Sequence, residues 1–523
     1  MAIATQKLEI SAQQRKLPAE PASYALAYFM ISVGLVIRLV VAGTTYLNPD
    51  EAYHYILGSP ESLRLAYQAS RSTTHPPLLI LLIYSLRWLG NSEILLRLPS
   101  ALAGTLSCWL TYKWLTAISA SRIALTGLVL LSFLPPLFVL ESELRQYSFL
   151  LLFTSSALYS FERAVQEDSA AKMLLFSFVL WLALATHYGA LLFAVSMVVY
   201  ALLRFIELRS SVRLLLLWAF GQAAFAAMAI FLYKTQVSQV QPQVHAISDT
   251  WLRKALFHGG DHVVTFLLTS TYRFFHFLSG QPVIGAVMLL LFVIGLISMM
   301  RPEQQGLRFR RAGWVVGFAL ALSWTLALAG VYPFGGTRHS VVLLPFIVLA
   351  VGSGLGRILK DHARNAPLVA MLAVGVCSLF PVPAGSHFTP PNQNIALMRS
   401  AVDYVQRTAT PNQLVLVDQQ SAFVFRYYFC RDDPFSLQQV QNFQCGHKRV
   451  HTSGFGWDLS GERLETDLRE TRAAFAAKPT ESVFVFQSGW TVGGNPSLNQ
   501  KFAQAGCAKE NRFGRNIVLC ELK

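Results

Sequence analysis

In this 523-residue chain, four groups of polar residues stand where long apolar runs end. Asp50 and Glu51 lie in Asn48-Pro49-Asp50-Glu51-Ala52-Tyr53-His54-Tyr55, and Glu141 and Glu143 in Glu141-Ser142-Glu143-Leu144-Arg145-Gln146-Tyr147. His187-Tyr188 ends a third apolar run, and Gly335-Gly336-Thr337-Arg338-His339 joins two more. Carboxylates at such positions can accept a proton, and arginines and histidines can meet an anion. Near lipid a carboxylate is costly, so it is either functional or paired. Each group also has a plainer reading. Asp50-Glu51 could open a solvated loop, Glu143 and Arg145 could pair with each other, His187 could be a satisfied interfacial histidine, and Arg338 could be a headgroup anchor. All four plain readings would have to hold together, whereas one catalytic pocket at one membrane face explains them jointly.

The elements that must carry these residues are membrane helices. The chain is 53% hydrophobic and only 14% charged, with a mean hydropathy of +0.43. That is too apolar for a water-soluble chain, in which about 25% of residues are charged. Apolar runs predict about eleven spans, near 24–44, 97–112, 123–141, 148–161, 173–187, 188–203, 214–233, 282–300, 313–331, 340–356 and 366–382. Lys7, Arg15 and Lys16 precede the first span, which has no small-residue cleavage pattern, so residues 1–23 are expected inside and the span reads as a start-transfer anchor. The run from His75-Pro76-Pro77 to Gly90 is too short to cross and reads as a re-entrant or interfacial helix within a first outer loop, 45–96. With that assignment the inner connections hold 17 Lys and Arg against 8 Asp and Glu, while the outer loops before the last span hold 10 against 8. The net charge of +15 is therefore mainly a topology signal, and no nucleic-acid partner is inferred from it.

After the transmembrane domain, 24–382, prolines 381, 383, 390 and 391 mark a stiff linker, 383–393, into a polar domain over 394–523. Helices are expected at 394–408 and 498–506, and strands at 414–417, 483–486 and 517–522, which makes a small extracytoplasmic α/β domain. Four of the six cysteines lie there, and their spacing suggests the pairs Cys430–Cys445 and Cys507–Cys520, as suits an oxidising compartment.

The first span followed by Asp50-Glu51-Ala52-Tyr53, then His75-Pro76-Pro77-Leu78, then Arg97-Leu98-Pro99-Ser100-Ala101-Leu102-Ala103-Gly104, resembles the C-type integral-membrane glycosyltransferases. More closely, it is similar to the protein mannosyltransferase-like group, glycosyltransferase family 39, and its aminoarabinose lipid A transferase relatives. Glu143, Arg145 and Tyr147 match as well, as does Thr186-His187-Tyr188, and the resemblance covers about residues 24 to 350. The second acidic position is often Asp in such enzymes and is Glu143 here. The resemblance implies a polyprenyl-phosphate sugar as donor, a lipid, glycan or protein acceptor, inversion at the anomeric carbon, and the outer face of a bacterial inner membrane. An attacking hydroxyl needs a general base, for which Asp50 is the candidate, with Glu51 and Glu143 beside it. The leaving lipid phosphate needs cations and donors, for which Arg71, His75, Arg145, Tyr147, Tyr188 and Arg338 are candidates. His54, His187 and His339 would line the pocket. No cofactor is called for; a divalent ion bridging Glu143 and the phosphate is compatible with the chemistry, although no all-protein metal motif is present.

Two other classes compete. A multi-span lipid or glycan transporter would show repeated halves broken near the midplane, and no such repeat is found. A non-catalytic assembly protein would not need the Asp50 and Glu143 arrangement. Within the enzyme class, a protein O-mannosyltransferase is the alternative.

Overall fold

The computed structural model describes residues 21–240, 252–301, 307–379, 392–431, 441–454, 459–490, 496–504, 512–514 and 516–522. Within the described residues, each of the eleven expected spans falls mainly on helix. They are α1 (Pro21–Thr44), α5 (Glu93–Ile118), α6 (Ser121–Phe133) with α7 (Pro135–Ser142), α8 (Tyr147–Glu167), α9 (Ala170–Thr186), α10 (Gly189–Leu208), α11 (Val212–Leu232), α13 (Pro282–Met300), α14 (Ala312–Leu328), α15 (Leu344–Leu359) and α16 (Ala366–Leu379). Among the described residues, six helical stretches are long and apolar enough to cross a membrane, and a seventh counts if the bent α6 and α7 form one span. Large apolar side chains such as Phe29, Val40, Phe178, Leu216, Phe220 and Leu290 stand exposed on these helices, and lipid is the solvent that covers such a surface.

Three short helices fill the connection between α1 and α5: α2 (Pro49–Leu57), α3 (Leu63–Ser70) and α4 (Leu78–Leu86). With nine residues, α4 is too short to span. The connection from Lys234 to Gln281 contains a helix, α12 (Val263–Ser279). Its His276 backbone packs on Gly285 of α13, and its Ser270 and Arg273 pack on Gly335 and Gly336.

Two local features aim the elements. Leu134 precedes the Pro135-Pro136 pair and is extended, and α7 leaves α6 at 60°. Proline removes a donor and drives the residue before it out of helix, so the bend is written in the sequence. Gly295 of α13 and Gly354 of α15 lie where a Cβ would sit 1.9 Å from a carbonyl oxygen of the facing helix. Only glycine lets these two backbones approach so closely.

The tail forms a six-stranded sheet of order β2-β3-β1-β4-β6-β5, from β1 (Leu414–Val417), β2 (Asn442–Cys445), β3 (Lys448–Thr452), β4 (Val483–Gln487), β5 (Arg512–Phe513) and β6 (Ile517–Leu522). β1 runs parallel to β3 and β4, and the outer strands run antiparallel. Helices α17 (Ile395–Thr408), α18 (Gln419–Phe429), α19 (Leu464–Ala474) and α20 (Pro496–Gln504) cover it. The Cys430–Cys445 disulfide ties the end of α18 to β2. Cys507, needed for the second expected pair, and most of the expected linker lie outside the described residues.

Candidate active site

The order of events at residue 48 sets the site. Asn48 caps α2, its side chain accepting from the Glu51 amide at 3.1 Å, while the Asn48 amide donates to Glu51 Oε2 at 3.0 Å. This reciprocal capping box fixes the entry of the chain into α2 and is legible in the sequence as Asn-Pro-x-Glu. It also separates the two neighbouring carboxylates. Glu51 is fully buried, and Arg97 of α5 donates to it twice, at 2.7 and 2.6 Å. The Leu144 amide adds a further bond at 2.7 Å. Arg97 in turn holds the carbonyls of Ala42, Thr45 and Tyr46, so one buried ion pair ties the end of α1, the start of α2, α5 and the 143–146 turn together.

Asp50 faces the other way, with 31% of its side chain accessible. Its carboxylate pairs with Arg145, and Arg338 donates to its Oδ2 at 2.7 Å across 288 residues of sequence. Glu143 lies on the same arginine: its Oε2 is 3.9 Å from Arg338, its Oε1 accepts from Asn48 Nδ2 at 3.3 Å, and Oε2 has no hydrogen bond. The Tyr147 ring lies under both guanidinium groups, with the Arg145 and Arg338 carbons 5.6 and 5.8 Å from its centroid.

A row of imidazoles forms the adjoining wall. His75 is 6.0 Å from His54 and 5.5 Å from His187 by ring centres, and His187 is 6.0 Å from His339. The turn that carries His187 depends on Gly189, where a Cβ would meet Tyr332 Oη at 2.6 Å. Gly189 donates to His187 Nδ1 at 2.8 Å, which leaves Nε2 to carry the proton in the neutral ring. Tyr188 and Arg71 stand one layer away. Tyr188 donates to Gln236 Oε1 at 2.9 Å, and Gln236 donates to the carbonyls of Ser70 and His75, while Arg71 Nε reaches the Thr235 carbonyl. The structure thus gathers Asp50, Glu143, Arg145, Tyr147, Arg338 and the four histidines into one cleft. It sets Glu51 behind them and Arg71 and Tyr188 at the Gln236 side. Among the described residues no cluster of three or more His, Cys, Asp or Glu has a metal-holding arrangement.

Environment sets the two open carboxyls apart. Burial works to raise the pKa of Asp50, but Arg145 and Arg338 outweigh it and hold the group well below the usual carboxylate range. For Glu143, burial followed by the charge of Glu51 wins over the two arginines, and its pKa is pushed up to about 7. Burial foremost, with Arg145, keeps His54 neutral, lowered to about 3. His75 is held well below its ordinary value by burial and by the neighbouring imidazoles.

Four contributors escape a reading of the sequence. Arg97 looks like part of a span opening. Gln236 is one polar residue at the end of a long apolar helix and carries no pattern. Trp490, from the loop after β4, brings its ring to 5.6 Å from Arg338, and Phe423 of α18 lies 4.8 Å from Tyr53. Nothing in the local sequence of the tail announces that it walls a membrane-domain cleft.

Residues 74–233 match the model of the dolichyl-phosphate-mannose-protein mannosyltransferase family. That segment includes His75, Glu143, Arg145, Tyr147, His187 and Tyr188. No curated protein sequence matches the chain significantly. Among solved structures, ArnT from Cupriavidus metallidurans in the apo state aligns over 96% of this chain and 98% of its own, at 15% identity and a TM-score of 0.59. The same protein bound to undecaprenyl phosphate aligns over 95% and 98%, at 13% identity and a TM-score of 0.53. Those likenesses extend the shared fold through the C-terminal domain. Residues 74–233 thus carry the likeness to that mannosyltransferase family, and the chain shares the fold of ArnT over nearly its whole length.

Proposed function

We propose that this protein is a glycosyltransferase that moves a sugar from a polyprenyl-phosphate donor to a hydroxyl of a lipid, glycan or polysaccharide acceptor, at the outer face of a bacterial inner membrane and with inversion. The observation that carries the reading is Asp50 held between Arg145 and Arg338, with Glu143 beside them. ArnT bound to undecaprenyl phosphate supports the donor class, because the whole fold is shared.

The residues then divide the work. The two arginines meet the phosphate of the departing lipid, whose charge grows as the anomeric bond breaks. As they turn to the phosphate, Asp50 loses its counter-charges and its basicity rises, so proton abstraction from the acceptor becomes efficient only when donor is bound. The acceptor oxygen forms a bond to the anomeric carbon, the lipid phosphate leaves with the electron pair of the old bond, and Asp50 takes the hydroxyl proton. The neutral histidine row offers hydrogen bonds to sugar hydroxyls without competing for the phosphate. Glu51 and Arg97 act as a frame that fixes α2.

One observation favours a second base. Glu143 has an unbonded oxygen and a pKa near 7, closer to working pH than that of Asp50. Transfer from a synthetic polyprenyl-phosphate sugar by purified variants tests both. Asp50→Asn is expected to lower kcat by about 10²–10⁴-fold with normal membrane insertion. A wild-type rate in that variant removes Asp50 from the role.

A further inference from the structure

At the membrane face opposite the cleft, a cavity of about 240 Å³ opens between three helix ends: the start of α6, the end of α13 and the end of α15. These helices fix its side, since α15 begins just after Arg338 and His339 at the cleft and ends at the cavity. Met299 and Ile123 form its buried floor and Ser353 part of its wall, while Arg122, Arg357, Lys360 and Asp361 line it with charge.

Three cations against one carboxylate would be unremarkable if they were paired, but among the described residues they are not. Among the described residues, Arg122, Arg357 and Lys360 make no ion pair with any acid, and the Nε of Arg122 is buried with no hydrogen-bond partner. A buried donor left so is costly unless a ligand meets it. Two backbone features point the same way. The first turn of α6 has no side-chain cap, so its amides and their positive end of the dipole add to the field. Lys360 stands at φ 47° and ψ −114°, a conformation that glycine tolerates and lysine occupies only at a cost, and it brings the ammonium to the cavity at the point where α15 stops.

We infer that this cavity binds the phosphate of an anionic phospholipid headgroup in the leaflet opposite the active cleft. The position favours a lipid over a free anion. The cavity lies at the ends of membrane-spanning helices with its floor apolar, and basic pockets between helix ends are where anionic headgroups are held. A phosphodiester with a net negative charge would give Arg122 Nε an acceptor and neutralise the excess of cations. The cavity takes no part in the proposed transfer, so its occupant would stabilise the bundle by clamping α6, α13 and α15 together.

The test is native mass spectrometry and thermal unfolding of the full-length purified protein with phosphatidylglycerol, phosphatidylcholine or inorganic phosphate. Phosphatidylglycerol is expected to bind about tenfold more tightly than phosphatidylcholine and to raise Tm. Arg357→Gln with Lys360→Gln should weaken it at least fivefold, and Asp361→Asn should tighten it. Gly356 lines the cavity where a Cβ would meet no heavy atom within 4 Å, so Gly356→Phe should fold and exclude the lipid. Equal binding of both lipids by the wild-type protein overturns the proposal, as does binding unaffected by Gly356→Phe. Inorganic phosphate matching phosphatidylglycerol at equal concentration would make the occupant a free anion and overturn the lipid assignment.

Discussion

Asp50 and Glu51 are neighbours in sequence with opposite environments, and the difference is chemical. Glu51 spends both oxygens on Arg97, Asn48 and Leu144, while Asp50 keeps an accessible face and is balanced only by arginines that a phosphate could take. This arrangement predicts how the reaction answers to pH. In the free enzyme Asp50 is ionised far below neutrality, so with Asp50 as base kcat/KM should stay level from pH 8 down to about 5. In the donor complex the arginines are engaged elsewhere, and the acid limb of kcat should lie at higher pH than that of kcat/KM. If Glu143 takes the proton instead, kcat/KM will fall tenfold per unit below about pH 7, because the group must be ionised to act and its pKa is raised to about 7. Profiles of the wild-type protein and Glu143→Gln separate the two outcomes.

At the scale of elements, the double proline after Leu134 and the pair Arg38–Glu141 act together. Arg38 of α1 donates to Glu141 of α7 and to the carbonyls of Gly34, Leu131 and Ser132, so an arginine inside an apolar span holds the bent helix against its neighbours. Both side chains are 1% exposed or less. Removing one partner of such a pair leaves an uncompensated buried charge, at about 3–5 kcal/mol. Glu141→Ala is therefore expected to unfold at much lower temperature in detergent, whereas Arg38→Met with Glu141→Leu should recover most of the loss. Because Glu143 follows two residues after Glu141, the single variant should also lower transfer activity.

For the molecule as a whole, the C-terminal domain packs against the membrane domain through helix α18 and through Trp490 of the loop after β4. Phe423, Tyr427 and Tyr428 of α18 reach Tyr53, Tyr55 and Leu47, and Tyr427 donates to the Asn91 carbonyl at 2.5 Å. The orientation proposed from the charge bias, with residues 1–23 inside, would put this domain and the cleft on the outer side. A cysteine at the exposed position Gln406 should then react with an impermeant thiol reagent in intact spheroplasts. Cys108 and Cys377 are buried and give little background. Protection at position 406 until the membrane is breached would reverse the orientation.

The 60° break falls inside one expected span, 123–141, although Pro135-Pro136 encodes it locally. Helix positions, the short α4 and three of the strands could be read from the sequence, because apolar run length is decided within a few residues of chain. So could the residue types of the cleft, since charge at the end of an apolar run is conspicuous wherever the run lies. Which of those charges meet was decided only by tertiary packing. Arg338 finds Asp50 across 288 residues, Arg38 finds Glu141 across 103, and Trp490 reaches Arg338 from another domain. Such pairings depend on the relative placement of whole helices, set by close contacts such as Gly295 on Gly354, and sequence periodicity does not encode that distance.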